Sequence, residues 1–191
     1  MERKLVSVLF VWLLMVCIAG YFDWISLVPL PLFGIVVFLL IAGGTLIYFY
    51  VPAFKKYIRE KWSLKHLMVF HIWRIVAGLL FLHYGDLGLL PDTFVKRAAY
   101  GDILAGLLVP VVLIAGQSRK GYMVFNVIGF VDFLLAVGTG LFLSMAGNSA
   151  MKVIETLPLV VIPLFGVPIS GVSHIMAFDK LLNPKIQKSS V

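Results

Sequence analysis

The apolar stretch Lys65–Tyr84, KHLMVFHIWRIVAGLLFLHY, constrains the fold more than any other part of the sequence. It is long and apolar enough to cross a bilayer, yet it carries His71, Arg74 and His83. An arginine at bilayer depth costs about 2.5–3.5 kcal/mol on insertion scales. Such a residue persists only where neighbouring helices supply a counter-charge or a wet cavity. Arg74 therefore predicts a bundle of membrane helices, at least one of which carries an acid.

The composition agrees with a polytopic membrane protein. Of the 191 residues, 61% are hydrophobic and 13% are charged, and the mean hydropathy is +1.04; a soluble domain carries about 25% charged residues. The net charge of +7 comes from short basic clusters between apolar segments. We interpret these clusters as topology signals and contacts to anionic lipids, and we expect no nucleic-acid partner. The single cysteine, Cys17, excludes an internal disulfide.

The apolar runs predict an all-α membrane protein, a single bundle over residues 1–191 with six transmembrane helices at about 5–22, 28–50, 66–85, 98–116, 122–145 and 156–178. The first run is expected to be a retained helix, because no small-x-small cleavage site closes it. Twelve basic residues fall on the side of the N-terminus and three on the other side. The positive-inside rule then predicts a multi-pass protein of the plasma (inner) membrane with both termini in the cytoplasm.

Polar residues of three spans fall at one depth. At about 1.5 Å per residue, His71 and Asn126 lie about 9 Å from the cytoplasmic edge, and His174 lies about 8 Å from it. Arg74 is about 13 Å deep and Asp132 about 18 Å, a gap that an arginine side chain bridges. We therefore predict an Arg74–Asp132 ion pair, which is either a structural pair that fixes helix packing or a gate in a solute path.

Asp102 is predicted near the opposite edge. It lies about 8 Å from that edge, close to His83 and Glu155. It is expected either to be hydrated there or to join the polar site. His83, so near the interface, is expected to be a hydrogen-bonded interior residue rather than a ligand.

The sixth span carries three prolines at intervals of five residues, Pro158, Pro163 and Pro168. A proline inside a helix removes a backbone hydrogen bond and leaves a carbonyl free. We predict a bent or broken helix here, and such breaks commonly form solute sites in transporters.

His71 and His174 suggest a second kind of site. Two histidines at one depth on different helices could hold a metal ion or a haem between them. The sequence has no HExxH pattern, phosphate loop, nucleophile elbow or cysteine pattern for a metal, so an enzyme is less expected than a binding protein.

Three segments together resemble a family of small bacterial integral membrane proteins of unknown function. The segments are PDTFVKRAAYGDILAGL, NVIGFVDFLLAVGTG and TLPLVVIPLFGVPISGVSHIMAF. The shared features are the spaced prolines ending in His174, the Gly101-Asp102 pair, and Asn126 with Asp132. The resemblance covers roughly residues 74–178 and implies that these positions act together, but it implies no activity.

The leading hypothesis is a membrane-embedded binding or transport protein for a small solute or ion. Six short helices are few for a complete carrier, which favours a homo-oligomer or a membrane partner. One alternative is a membrane redox protein or enzyme that holds haem, quinone or a metal at His71 and His174. The other is a structural or regulatory subunit of a membrane complex. The candidate site residues are His71, Arg74, Asp102, Asn126, Asp132 and His174.

Overall fold

The computed structural model of the protein describes residues 1–183, and these residues form eight α-helices. The helices are α1 (Glu2–Tyr21), α2 (Leu30–Tyr50), α3 (Pro52–Lys61), α4 (Leu64–Val69), α5 (Trp73–Asp86), α6 (Asp92–Ile114), α7 (Arg119–Met145) and α8 (Val167–Leu182). Three 3₁₀ segments (Ile25–Leu27, Phe70–Ile72 and Ser149–Glu155) and one π-helical turn (Ile162–Gly166) connect them. Lys185 and Lys188 of the basic count lie outside the described residues.

Six helical segments are long and apolar enough to cross a membrane, which confirms that part of the fold prediction. They run over residues 2–21, 30–50, 64–86, 92–114, 119–145 and 162–182. The third segment combines α4, a 3₁₀ turn and α5, and the sixth combines the π-helical turn with α8.

One helix was not predicted, and two predicted boundaries are wrong. The basic stretch after the second span was expected to be a loop but is the amphipathic helix α3, which begins at Pro52 and buries Ile58. The fourth helix begins at residue 92 instead of 98, because its first turns continue beyond the apolar segment; Lys96 there pairs with Asp92 at 3.8 Å. The sixth begins at residue 162 instead of 156, because the residues around Pro158 form turns.

Small residues let α5, α6 and α7 pack closely. A Cβ atom on Gly78 of α5 would lie 2.6 Å from the carbonyl oxygen of Ala99 in α6. A Cβ atom on Gly106 of α6 would lie 2.5 Å from the side chain of Ile75. Backbones that approach this closely bring long polar side chains of one helix within reach of the next.

The two ends of the bundle differ in their contacts. We call the end that carries α3 the α3 face; there Arg59 of α3 donates to both carboxylate oxygens of Asp179, near the end of α8, at 2.7 and 2.6 Å. We call the opposite end the 3₁₀ face; there Lys152 donates to the carbonyl oxygen of Ser26 at 2.8 Å and so connects two 3₁₀ segments. The polar residues described next lie between these two faces.

Candidate functional site

Arg74 links three helices in the interior of the bundle. Its Nε donates to Oδ1 of Asp102 in α6 at 2.6 Å, and its Nη1 donates to the carbonyl oxygen of Gly129 in α7 at 3.1 Å. Its Nη2 donates to Oδ2 of Asp132 in α7. Only 2% of Arg74 is exposed. We call Arg74, Asp102 and Asp132 the charged cluster; the Arg74–Asp132 contact in it is the pairing that the depth comparison predicts.

Two glycines make room for the charged cluster. A Cβ atom on Gly101 of α6 would overlap the carboxylate of Asp132, and one on Gly129 of α7 would lie 2.8 Å from Cε1 of His174. The absence of a side chain at Gly101 therefore lets Asp132 lie against α6. Gly129 likewise lets the ring of His174 reach the neighbourhood of Arg74.

Of the two expectations for Asp102, hydration near the outer edge is wrong, and a place in the polar site agrees with the structure. The residue is buried, and its Oδ1 accepts a charge-assisted hydrogen bond from Arg74. The depth was misjudged because α6 begins at Asp92. Ten residues of helix place Asp102 about 15 Å from that helix end.

The charged cluster contains one base and two acids. Asp102 and Asp132 each offer one carboxylate oxygen to Arg74. Oδ2 of Asp102 and Oδ1 of Asp132 accept no hydrogen bond from any residue that the structure describes. Because a guanidinium stays protonated, the cluster has one acid that no base within it compensates.

A second polar group lies next to the charged cluster and toward the α3 face. It comprises His71, Asn126, Ser173 and His174, and we call it the histidine layer. His71 Nε2 lies 2.9 Å from Oγ of Ser173, whose hydroxyl donates to the carbonyl oxygen of Ser170, so Nε2 is the donor. His174 Nδ1 lies 2.8 Å from Oδ1 of Asn126, whose amide donates to the carbonyl oxygen of His174, so Nδ1 is the donor.

These hydrogen bonds leave one nitrogen of each ring without a partner. Nδ1 of His71 and Nε2 of His174 are fully buried and have no hydrogen-bond partner in the described chain. With the other nitrogen of each ring already assigned as the donor, the free nitrogens carry lone pairs. The sequence placed both histidines at one level but did not predict Ser170 and Ser173. Ser170 lies three residues before Ser173 and four residues before His174 in α8, and this helical spacing is the signal that was overlooked.

The geometry of the two histidines does not fit a haem between them. Their ring centroids are 4.1 Å apart with the planes tilted by 34°, so the rings are in direct contact. This contact leaves no space for a macrocycle between the rings. No cluster of three or more histidine, cysteine or acidic side chains suited to a metal ion occurs among residues 1–183. The structure therefore gives the haem and metal alternatives no support.

A cavity of about 80 Å³ reaches the charged cluster from the side of the 3₁₀ face. Its charged wall is formed by Arg74 and Asp102, and its remaining lining is mainly apolar. Five aromatic side chains contribute to it, namely Phe33, Trp73, Phe81, Phe94 and Phe133. On the side of the α3 face, a void of about 10 Å³ is lined by His71 and Asn126 together with apolar residues. The charged cluster and the histidine layer thus lie between two spaces, one on the side of each face.

The prolines shape the start of the sixth segment. Pro158 lies in the turns before it, Pro163 lies in the π-helical turn, and Pro168 lies in the first turn of α8. The π-helical turn and Pro163 form part of the cavity wall. Gly166 at its end accommodates the indole of Trp73, whose Nε1 donates to Oγ of Ser170 at 3.2 Å.

A family model described as "Domain of unknown function (DUF8737)" matches residues 30–182. No curated protein and no solved structure matches the chain. The matched region contains every residue of the charged cluster and the histidine layer, and it leaves out α1. It also includes the second span, which lies outside the resemblance noted from the sequence.

Proposed function

The chain belongs to the DUF8737 family, whose description assigns no activity, and we propose that it binds and transports a small solute or ion within the membrane. One observation carries this proposal: the cavity in the bundle ends at Arg74 and Asp102. Ionisable residues inside membrane segments are expensive and mark solute or ion paths. A purely structural ion pair requires no adjoining cavity.

The arrangement of the two spaces supports transport. The larger cavity is lined by Met151 and Ile154 of the 3₁₀ face, and the smaller void is lined by Leu64 and Leu181 near the α3 face. The polar residues between them would form the barrier that a solute crosses. The π-helical turn supplies a non-α segment in the cavity wall, which is the kind of helix irregularity found at functional sites.

The orientation in the membrane is part of the same proposal. The α3 face carries most of the basic residues between the spans, so the positive-inside rule predicts that it lies in the cytoplasm and that the chain is a plasma (inner) membrane protein.

Helix α1 packs at the edge of the bundle, where Gly20 contacts Leu157 and Val160. Its exposed apolar side chains then face lipid or a second copy of the chain.

The test is a screen of small solutes against the purified protein in detergent, followed by thermal unfolding. Ala136→Leu fills the cavity, because Ala136 lines it. Val131→Leu adds a methylene on the exposed face of the same helix and serves as the matched control. A solute that stabilises the wild-type protein is expected to stabilise Val131→Leu equally and to lose its effect on Ala136→Leu. Equal stabilisation of both variants would contradict the proposed site.

A further inference from the structure

The unequal number of acids and bases in the charged cluster bears on the charge of the solute. With Arg74 protonated and both Asp102 and Asp132 ionised, the cluster would hold one uncompensated negative charge. An uncompensated charge away from water is costly, so a group in this situation takes up a proton or a positive partner. Asp102 is the acid that lines the cavity, and its Oδ2 accepts no hydrogen bond from residues 1–183.

Among the residues that the structure describes, no second basic side chain is paired with the acids of the charged cluster. Arg97 of α6 donates instead to Oγ1 of Thr139 at 3.3 Å. The residues that α2 contributes to the cavity wall are apolar, and Asp132 of α7 pairs with Arg74 without lining the cavity. From α8 the nearest titratable group is His174, whose ring lies beside Arg74 with Nδ1 engaged by Asn126. The remaining nearby groups are His71, which lies behind His174, and Glu155, which is paired with Lys152 at 3.4 Å.

The rest of the cavity suits an organic cation better than an inorganic one. Apart from Arg74, Asp102 and two serines, the walls are apolar; they include five aromatic rings, and the faces of aromatic rings attract cations. A small inorganic cation requires several oxygen ligands, and the described residues offer no metal-binding cluster. An ammonium ion with alkyl groups matches both features, since its body is apolar and its charge is positive.

We propose that the solute is a small organic ammonium ion, which binds in exchange for one proton held between Asp102 and Asp132. The inference rests on the proposed function and names its substrate class. In the solute-free protein a carboxyl proton compensates the second acid. When the ammonium ion enters, this proton leaves to water and the ammonium charge takes its place, so the charge of the site is unchanged.

Three probes of similar size and different charge test the inference, namely tetramethylammonium, tert-butanol and pivalate. Binding to the full-length protein in nanodiscs is followed by titration calorimetry in two buffers of different ionisation enthalpy, which also counts the protons released. Tetramethylammonium cannot lose a proton itself. We expect it to bind at least about tenfold more tightly than either other probe, to release about one proton, and to bind more tightly as the pH rises.

Variants assign the effect to the cluster. Asp102→Asn leaves one acid for one base, so it is expected to fold, to weaken tetramethylammonium binding at least about tenfold and to abolish proton release. Asp92→Asn removes an exposed acid from the first turn of the same helix and is the matched control, with unchanged binding. Thermal unfolding shows whether both variants are folded.

Each other outcome overturns the inference in a distinct way. Equal binding of tert-butanol would mean that charge plays no part, and tightest binding of pivalate would assign recognition to Arg74; the proposed solute site would survive either result. Binding of tetramethylammonium without proton release would overturn the exchange. If none of the probes binds, the substrate class is wrong, while the Ala136→Leu screen decides separately whether the cavity is a solute site.

Discussion

Replacement of Arg74 by methionine tests whether the charged cluster is an electrostatic unit. Methionine keeps much of the length of the side chain but donates no hydrogen bond, so Asp102, Asp132 and the carbonyl oxygen of Gly129 all lose a donor. Removing one side of a buried ion pair costs about 3–5 kcal/mol, because the partner is left uncompensated. We expect a loss of this size in the free energy of unfolding of Arg74→Met.

The acids are expected to behave differently from the arginine. Asp132→Asn keeps the shape that Gly101 accommodates and leaves Arg74 paired with Asp102, so its cost is expected to be about 1 kcal/mol or less. Replacement of all three residues, as Arg74→Met with Asp102→Asn and Asp132→Asn, removes the charges together. That variant is expected to recover most of the stability, since replacing a whole buried ion pair is often nearly neutral.

Unfolding of the purified variants by titration with a denaturing detergent gives the free energies. Lys96→Met, which removes an exposed cation from α6, is the control and should leave the stability within about 0.5 kcal/mol of wild type. A loss for Arg74→Met no larger than that for Asp132→Asn would refute the electrostatic reasoning. A triple variant that is less stable than Arg74→Met would do the same.

Three further predictions concern packing, pH and topology. Gly101→Ala should cost about 1–3 kcal/mol, because its Cβ would displace the carboxylate of Asp132. Gly43→Ala in α2 meets no neighbouring atom and should leave the stability unchanged or raise it by up to about 1 kcal/mol in the same unfolding assay. Burial raises the pKa of Glu155, and the ammonium of Lys152 lowers it by a smaller amount. Because the folded protein holds this proton more tightly than the unfolded chain, the fold loses stability as the pH rises through the raised pKa. The melting temperature of Glu155→Gln, relative to that of the wild type, should therefore increase between about pH 4 and pH 8. A difference in melting temperature that stays constant over this range would contradict the prediction. Reporter fusions at the two termini should both report the cytoplasm, and an external C-terminus would contradict the proposed orientation.

Depth along the helix was predictable from the sequence for the polar residues near the α3 face, but rotation about the helix axis was not. Counting residues from the charged edges placed His71, Asn126 and His174 at one level and brought Arg74 within reach of Asp132. It could not show that the two histidine rings are in contact, because that contact depends on how α8 turns toward the 3₁₀ segment before α5.

Two of the errors have a common physical source. A charged residue marks where the apolar segment ends, but a helix can continue past it into water. Lys96 and Arg97 were taken as the edge of the fourth span, and the true helix start at Asp92 moves Asp102 into the interior and into contact with Arg74. Helix α3 was overlooked for the same reason, since its basic residues suggested a loop. A glycine is needed at position 129 because α8 places the ring of His174 against it. The sequence of α7 alone does not show this contact.

Cysteine labelling in the membrane tests most directly whether the cavity beside the charged cluster is a solute site. Ser144 lines the cavity, and Cys17→Ser provides a background without other cysteines. We predict that Ser144→Cys in this background reacts with a small, charged, water-soluble thiol reagent added to the side of the 3₁₀ face. A solute identified in the screen should slow the reaction. Reaction no faster than that of the lipid-facing variant Val131→Cys, or a rate that no bound solute changes, would contradict the account.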